Sequence, residues 1–484
     1  MKIFQATAEL APLAKTGGLA DVSAALSLHL QRSGHDVRVV MPFYDTIDVS
    51  GLAVVPVDYL QEVPITIGGR EGYFSVDTVQ LPGTGLSIYL LRSPDLYQRG
   101  SVYTQHWDEH RRFILLCRAC PEICQRMGFA PDIFHCHDWH TGLIPLYLKS
   151  IYAWDQLFAQ TRSIMTIHNI GYQGMFSSDV LPDLDLNGFE NLLHQDDLHD
   201  GVINFLKTSL LYADHLTTVS PTYAREIQTD AYGMGLQTIL RGRRDSLTGI
   251  LNGVDGHEWD PETDTLIPFN FTAMELAGKR ACKRALMNEL GLTGEIDQPL
   301  LGMVTRLTSQ KGLDLLHSAL PEILARRPLM LAVLGSGESR YEHFFGELQH
   351  RFPGQVCFYR GYNNRLAHWI EAGSDLFLMP SLYEPCGLNQ MYSLKYGTVP
   401  VVRETGGLAD SVQQINVQHG TGTGVLFRDY DDIGLRWALE TALDLYANRT
   451  LWMQVMRNGM AQDFSWQRQG AQYEDLYRQL TVHG

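Results

Sequence analysis

Hydrophobic and polar positions alternate between two patterns along the chain. Short β-rich apolar runs are followed by longer runs with the apolar period of a helix, which is typical of α/β folds with parallel sheets. The strands that this pattern predicts include Lys2–Ala8, Asp36–Met41, Asp132–His137, Ser163–His168 and His215–Val219, then Leu300–Thr305, Leu329–Leu334, Val356–Tyr359, Leu376–Met379 and Pro400–Val402. Residues 51–110 carry few helix signals and are predicted to form a hairpin-like elaboration of the first sheet.

The two series of strands indicate two Rossmann-like domains. A chain of 484 residues is too long for one ordinary core. The Asn252-Gly253 turn signal marks the connection between the series. We therefore predict a first domain over residues 1–245, a linker over 246–255 and a second domain over 256–459.

Composition narrows the classes of function. The formal net charge of −16 disfavours general binding to nucleic acid or to an anionic membrane, because the overall field repels both. Seven cysteines without a regular framework suggest a reducing compartment. Met1–Leu10 lacks the apolar region of a signal peptide, and no run approaches 18 uninterrupted apolar residues. We expect a cytoplasmic protein without nucleic-acid or membrane partners.

One hexapeptide, Thr-Gly-Gly-Leu-Ala-Asp, occurs at both Thr16–Asp21 and Thr405–Asp410. Each copy follows a predicted strand or strand end and opens an apolar run with helical period. Glycines let a backbone approach a ligand closely, and a helix N-terminus presents unpaired N–H groups to an anion. The first copy also follows a cation, Lys15. The recurrence favours phosphate contact in two α/β domains over a plain tight turn with a solvated lysine.

A second basic segment, Arg306–Gly312, lies between a predicted buried strand and a helix. Arg306 offers a bidentate fork to phosphate, and Lys311 a mobile point charge, so the two could meet on one diphosphate. Two exposed surface cations are the alternative.

Glu384-Pro385-Cys386-Gly387 follows another predicted strand. A carboxylate at this position can address sugar hydroxyls or a developing oxocarbenium charge, although it can also be a helix N-terminal carboxylate. Cys386 has no nearby partner in the sequence for a nucleophilic role, so packing or backbone contact is preferred.

The segment His135–His140 is dense in imidazole. A metal site is the least favoured interpretation, because no second ligand cluster supplies a fourth donor. A ligand-contacting role for Asp138 is preferred over plain packing. His168, at the end of another strand, remains open between a ligand contact and a satisfied core histidine. Cys117, Cys120 and Cys124 are interpreted as buried thiols rather than zinc ligands.

Taken together, the motifs closely resemble those of the glycogen/starch synthase family. The matching segments are Lys15–Asp21, His137–Gly142, Thr166–Asn169, Tyr172–Gly174, Val219–Glu226, Leu251–Asp255, Arg306–Gly312, Glu384–Leu388, Thr405–Leu408 and Asp463–Trp466. The resemblance implies a GT-B fold, in which two Rossmann-like domains with parallel sheets face each other across a deep cleft. It also implies that a final helix over 460–484 crosses back to the first domain.

The activity implied by the resemblance is metal-independent, retaining transfer of glucose from ADP-glucose to the non-reducing end of an α-1,4-glucan such as glycogen. No cofactor or metal is expected. The resemblance assigns Arg306 and Lys311 to the donor diphosphate, His168 to the transferred glucose and Glu384 to the sugar. Asp138 corresponds to an acid that binds the sugar or the acceptor. Positions assigned to the donor site are Lys15, Gly18, Asp21, Tyr362, Cys386, Gly387, Thr405, Gly406 and Gly407.

Three positions depart from the related patterns. Tyr392 stands where many GT-B transferases have a second glutamate, a loss that glycogen synthases share. Asn389 stands where threonine is expected, and Glu404 precedes the second glycine turn, where a small or basic residue is expected beside a phosphate. Three rival functions remain: an α-glucan phosphorylase, a transferase that uses another nucleotide sugar such as UDP-glucose, and a non-catalytic glucan-binding protein.

Overall fold

The computed structural model describes residues 1–482 and divides into two compact units. The first unit comprises residues 1–219, residues 224–253 and the segment from Trp466 onward. The second unit comprises residues 220–223 and 254–465.

The first unit is built on a mixed sheet with helices around it. Its strands are β1 Lys2–Ala6, β2 Asp36–Pro42, β3 Val55–Pro56, β4 Val63–Ile67, β5 Arg70–Gln80, β6 Ser87–Arg92, β7 Ile133–His137, β8 Arg162–Ile167, β9 Met175–Ser177, β10 Val202–Asn204, β11 His215–Thr218 and β12 Leu247–Gly249. Its helices are α1 Gly18–Arg32, α2 Pro94–Tyr97, α3 Glu109–Met127, α4 Ile144–Lys149, α5 Gln195–His199, α6 Phe205–Tyr212, α7 Pro221–Glu226, whose first residues belong to the second unit, and α8 Gln237–Gly242.

The order of the first sheet is β12-β11-β8-β7-β1-β2-β6-β5-β3, with β4 paired to β5. The strands from β12 to β6 run parallel, whereas β3, β4 and β6 each pair antiparallel with β5. The predicted hairpin-like elaboration over 51–110 is therefore confirmed. Strand order reverses between β1 and β7, and ligands of open α/β sheets bind beyond the strand ends at such a switch point.

The second unit is a parallel sheet flanked by helices. Its strands are β13 Leu300–Val304, β14 Met330–Gly335, β15 Val356–Arg360, β16 Leu376–Met379, β17 Val399–Arg403 and β18 Val425–Phe427. Its helices are α9 Ala277–Leu290, α10 Leu316–Arg326, α11 Ser339–Arg351, α12 Asn364–Gly373, α13 Asn389–Lys395, α14 Gly406–Ser411, α15 Asp432–Ala447 and α16 Arg449–Met460. The last helix of the chain, α17 Trp466–Val482, belongs to the first unit.

The second sheet has the order β15-β14-β13-β16-β17-β18, with every neighbouring pair parallel. Numbered within the unit, this is 3-2-1-4-5-6, the doubly wound order of dinucleotide-binding folds. Strands β14, β16 and β17 are buried along their whole length, as expected for a parallel sheet covered on both faces. The switch point lies between β13 and β16.

Helix α1 shows why the periodic runs form helices. Leu19, Val22, Leu26 and Leu30 recur at helical spacing and are all buried in the first unit. Helix α17 packs on α1, where Gly470 lies against the His29 ring and leaves no room for a Cβ. The C-terminal segment assigned to the first unit begins at Trp466, rather than at the predicted residue 460.

All ten predicted strands are present, with no end shifted by more than two residues. The boundary between the two units, after Gly253, lies inside the predicted linker over 246–255, but the first part of that range is not a connector. Leu247–Gly249 forms β12, which pairs with β11 at the edge of the first sheet, and the second unit begins at Val254. Three residues are too few for a periodic signal, so the nearby Asn-Gly turn dominated that prediction.

Among residues 1–482, no helix is long and apolar enough to cross a membrane.

Candidate active site

In the second unit, the candidate residues lie on loops that flank the switch point. Arg306 follows β13 and Glu384 follows β16, and these two strands are neighbours in the sheet. Thr405 follows β17, the next strand along. Loops after adjacent parallel strands emerge at the same edge, so the second sheet brings these predicted residues to one edge.

The centre of this group is an ion pair between Lys311 and Glu384. Lys311 Nζ lies 2.7 Å from Glu384 Oε2, and the side chains are 18% and 6% exposed. The Ser381 hydroxyl donates to the same carboxylate oxygen at 2.9 Å. Lysine has three donors, so this ammonium can hold Glu384 and still meet a second anion.

The Arg306 side chain differs from that of Lys311 in its surroundings. It is exposed, and it makes no ion pair or hydrogen bond with any other residue of the described range 1–482. A guanidinium left in this state at the switch point is available to a phosphate. Tyr362, predicted to lie near the adenine, is 71% exposed, and its hydroxyl donates to Asn364 Oδ1 at 2.8 Å.

Glycines allow the loops of this edge to pack backbone against backbone. Gly312 has φ +69°, and a Cβ there would lie 1.9 Å from the Pro380 carbonyl oxygen. Gly406 has φ +44°, and its Cβ would lie 1.9 Å from the Glu384 carbonyl oxygen. A Cβ on Gly407 would lie 2.1 Å from the Cys386 carbonyl oxygen. The second hexapeptide is thus a support for the Glu384 loop.

The rest of that loop is held from within. Gln390 donates from Nε2 to the carbonyl oxygens of Cys386 and Gly387 at 3.0 and 2.9 Å. Cys386 is buried, and Gly387 has φ +71°, a conformation that favours glycine. Thr405 is fully buried and precedes the first residue of α14. These residues position the loop, and their contact with a donor stays a prediction.

Two of the unusual positions have structural explanations. Asn389 donates from Nδ2 to the Val304 carbonyl oxygen at 2.5 Å, which ties α13 to the end of β13. Glu404 is paired with Arg428, whose Nε lies 2.5 Å from its carboxylate, so its negative charge is compensated. The third, Tyr392, stacks on Trp259 with ring centroids 3.9 Å apart.

In the first unit, the Lys15 loop follows β1 and is organised by Glu9. The Glu9 carboxylate accepts hydrogen bonds from the backbone N–H groups of Thr16 and Gly17, and the Thr16 and Tyr103 hydroxyls also donate to it. An internal anion therefore occupies these two backbone donors. Lys15 Nζ lies 2.7 Å from Asp21, with the side chains 50% and 29% exposed.

The glycines of this first loop face open space. No atom lies within 4 Å of a Cβ built on Gly17 or Gly18. Their lack of a side chain is therefore not explained by packing, unlike that of Gly406 and Gly407. This difference favours a ligand approaching the first loop.

Asp138 lies at the end of β7, on the other side of the first switch point. Its backbone has φ 56° and ψ −179°, a region occupied essentially by glycine. Its carboxylate accepts the N–H of His168 at 2.8 Å. Burial raises the pKa of Asp138 to about 7, against the lowering effect of the hydrogen bonds from the His168 and Asn169 backbones. Strain and a shifted pKa in one buried acid are typical of functional sites.

His168 directly follows the neighbouring strand β8 and is buried against His137, with His137 Nδ1 and His168 Nε2 3.0 Å apart. His135 is bonded to Thr166 Oγ1 at 2.6 Å and to the Tyr477 hydroxyl at 2.7 Å. The His135 and His137 side chains of this histidine-rich segment thus make hydrogen bonds within the protein. Within residues 1–482, no group of three or more His, Cys, Asp or Glu side chains is placed to hold a metal ion.

Sequence reasoning missed Glu9, Ser381 and His137. Glu9 and Ser381 carried no motif, because each acts on a loop whose partner residues are brought near only by folding. His137 stood inside a recognised motif, but its bond to His168 spans 31 positions. The signal that could have found this contact is a histidine at the carboxyl end of each of two adjacent parallel strands, His137 as the last residue of β7 and His168 just after β8.

The chain is similar to known proteins over nearly its whole length. Residues 2–242 match the starch synthase catalytic domain family, and residues 293–455 match glycosyl transferases group 1. The chain is 42% identical to glycogen synthase 1 of Geobacter sulfurreducens over 99% of its own length and 96% of that protein. It is 40% identical to the glycogen synthase of Geobacillus stearothermophilus, with both chains fully covered.

The structure is similar to the catalytic domain of starch synthase IV from Arabidopsis thaliana, solved bound to ADP and acarbose. The TM-score is 0.91 at 34% identity, with 99% of each chain covered. Two Rossmann-like units with basic and acidic side chains at their switch points define a glycosyltransferase of the GT-B fold. Within that class, the chain belongs to the glycogen/starch synthase family.

Proposed function

We propose that this enzyme transfers glucose from ADP-glucose to the non-reducing end of an α-1,4-glucan and releases ADP, with retention of configuration. The observation that carries the proposal is the group at the second switch point: the exposed Arg306 guanidinium and the Lys311–Glu384 pair. Two cations and one carboxylate match a substrate with a diphosphate and a sugar.

The proposed role of the cations is to stabilise the leaving group. Breaking the bond from the anomeric carbon to the phosphate oxygen places charge on ADP. A unit-charge pair at 4 Å contributes about 4 kcal/mol at an effective dielectric of 20, before desolvation. Arg306 and Lys311 would each supply one such interaction.

The proposed transfer is a substitution on the front face of the sugar. The acceptor hydroxyl oxygen bonds to the anomeric carbon from the side that ADP leaves, and a departing phosphate oxygen takes the hydroxyl proton. Glu384 and His168 would position the glucose, and Asp138 would hold the His168 backbone. Lys15, Gly18 and Asp21 would contact the donor from the first loop, with Lys15 exchanging part of its contact with Asp21 for a phosphate.

A donor comparison tests this function. Purified protein is incubated with glycogen and either radiolabelled ADP-glucose or radiolabelled UDP-glucose, and label in precipitated polymer is counted. We expect incorporation from ADP-glucose at a rate well above that from UDP-glucose. Preference for UDP-glucose would contradict the donor assignment, and glucan binding without ADP release would contradict the enzyme assignment.

Metal independence is part of the same proposal. Incorporation from ADP-glucose should be unchanged after dialysis against EDTA, because Arg306 and Lys311 would stabilise the leaving group without a metal ion. Loss of activity that added Mg²⁺ restores would contradict this. We also propose the cytoplasm as the location, and neither nucleic acid nor membrane as a partner.

A further inference from the structure

A buried pair of histidines joins the ends of β7 and β8. His137 Nδ1 and His168 Nε2 are 3.0 Å apart, and the two residues are 0% and 8% exposed. Burial lowers the pKa of His137 to about 3 and holds the pKa of His168 well below its ordinary value. Both imidazoles are therefore neutral at pH 7. One ring must donate the shared hydrogen bond and the other must accept it.

The second nitrogen of His137 indicates the direction of this bond. His137 Nε2 is buried and has no hydrogen-bond partner among the described residues 1–482. If His137 accepted at Nδ1, its proton would lie on Nε2 and a buried N–H would be unpaired. If His137 donates from Nδ1, only a lone pair is unpaired. Among backbone groups, orphaned buried N–H donors are rarer than unsatisfied acceptors, and the same preference applied to the imidazole favours donation from Nδ1.

We infer that His137 is a positioning residue that fixes the tautomer of His168. His137 donates to His168 Nε2, which leaves the proton of His168 on Nδ1. No residue within 1–482 makes a hydrogen bond to that Nδ1. His168 then presents a neutral N–H donor, which suits a sugar hydroxyl oxygen and adds no charge beside a developing positive centre. The sugar contact rests on the proposed function, whereas the tautomer does not.

The tautomer is tested directly by ¹⁵N NMR of the full chain labelled at histidine. Signals of His168 are assigned by their loss in a His168→Gln variant. We expect a protonated Nδ1 and a bare Nε2 on His168 in the unchanged protein. A proton on His168 Nε2 would overturn the inference, whether or not the protein polymerises glucose.

Two substitutions at His137 separate positioning from packing. His137→Phe removes the donor, and we expect a five- to tenfold lower kcat with ADP-glucose, a donor KM changed less than twofold and loss of the fixed tautomer. His137→Asn can place an amide N–H where Nδ1 lies, so we expect kcat within twofold of the unchanged protein and retention of the tautomer. Equal behaviour of the two variants would overturn the positioning role.

His135→Phe is the matched control. It removes an equally buried imidazole from the same face of the strand, and His135 is bonded to Thr166 and Tyr477 rather than to His168. We expect an unchanged His168 tautomer in this variant. Loss of the tautomer here as well would assign the effect to packing and overturn the inference. Absence of transferase activity in the unchanged protein would defeat the proposed function, while the NMR result would still decide the tautomer.

Discussion

Replacing Lys311 by methionine tests the leaving-group role most directly. Methionine keeps much of the length of the side chain and removes its charge. Loss of one preorganised donor to developing charge typically costs about 2.7–4 kcal/mol of barrier, which corresponds to a 100- to 1,000-fold lower kcat. We expect a loss of this size with the fold intact.

The same substitution also leaves Glu384 without its cation. Breaking a buried ion pair from one side costs about 3–5 kcal/mol of stability. The cost here should be smaller, because Lys311 is 18% exposed and the Ser381 hydroxyl still donates to Glu384. The double variant Lys311→Met with Glu384→Gln removes the unpaired charge. It should recover stability while turnover stays low, because the Lys311 cation is still absent and Glu384 is itself a proposed glucose contact.

The assay is the initial rate of label transfer from ADP-glucose to glycogen, with urea unfolding in parallel. Lys395→Met is the matched control, because Lys395 Nζ lies 3.1 Å from Asp260 and the side chains are 39% and 26% exposed. Its turnover should be unchanged and its stability altered by no more than about 1 kcal/mol. Turnover of Lys311→Met within threefold of the unchanged protein, or recovery of turnover in the double variant, would refute the reasoning.

Two further predictions concern glycines and a strained acid. Gly406→Ala should lower the free energy of unfolding in urea by roughly 2–4 kcal/mol through its φ of +44° and its clash with Glu384. Gly18→Ala should unfold like the unchanged protein but raise the donor KM, and an unchanged KM would contradict ligand approach there. The pKa of Asp138 is raised from 3.8 to about 7 on folding, so the native state holds the extra proton and loses stability as pH rises between those values. The unfolding free energy of Asp138→Asn relative to the unchanged protein should therefore grow over that window, and a flat difference would count against the shift.

The sequence predicted the parallel-sheet architecture well for a physical reason. Strands buried on both faces are continuous apolar runs in the sequence, and candidate ligand residues follow them directly. Strands β13 and β16 could therefore be predicted from the sequence, together with Arg306 and Glu384 after them. Strands β12 and β18 have only three residues each, and runs of that length carry no periodic signal. The pairing of Lys311 with Glu384 spans 73 positions and depends on strand order, which no local pattern contains.

The two copies of the hexapeptide show that an identical sequence motif does not predict an identical structural role. The first follows β1, the central strand of its sheet, whereas the second follows β17, which is the fifth strand of its own sheet. Asp21 pairs with Lys15, but Asp410 accepts the N–H and hydroxyl of Thr222 at 2.8 and 2.6 Å.

The glycines of the two hexapeptide copies also have different structural roles. Those at Gly406 and Gly407 are required by backbone packing, while those at Gly17 and Gly18 have open space above them. The copies occupy non-equivalent places, which argues against a recent duplication. The identical hexapeptides share a requirement for residues without side chains after a strand. Whether a ligand or another loop lies against those glycines depends on the rest of the fold.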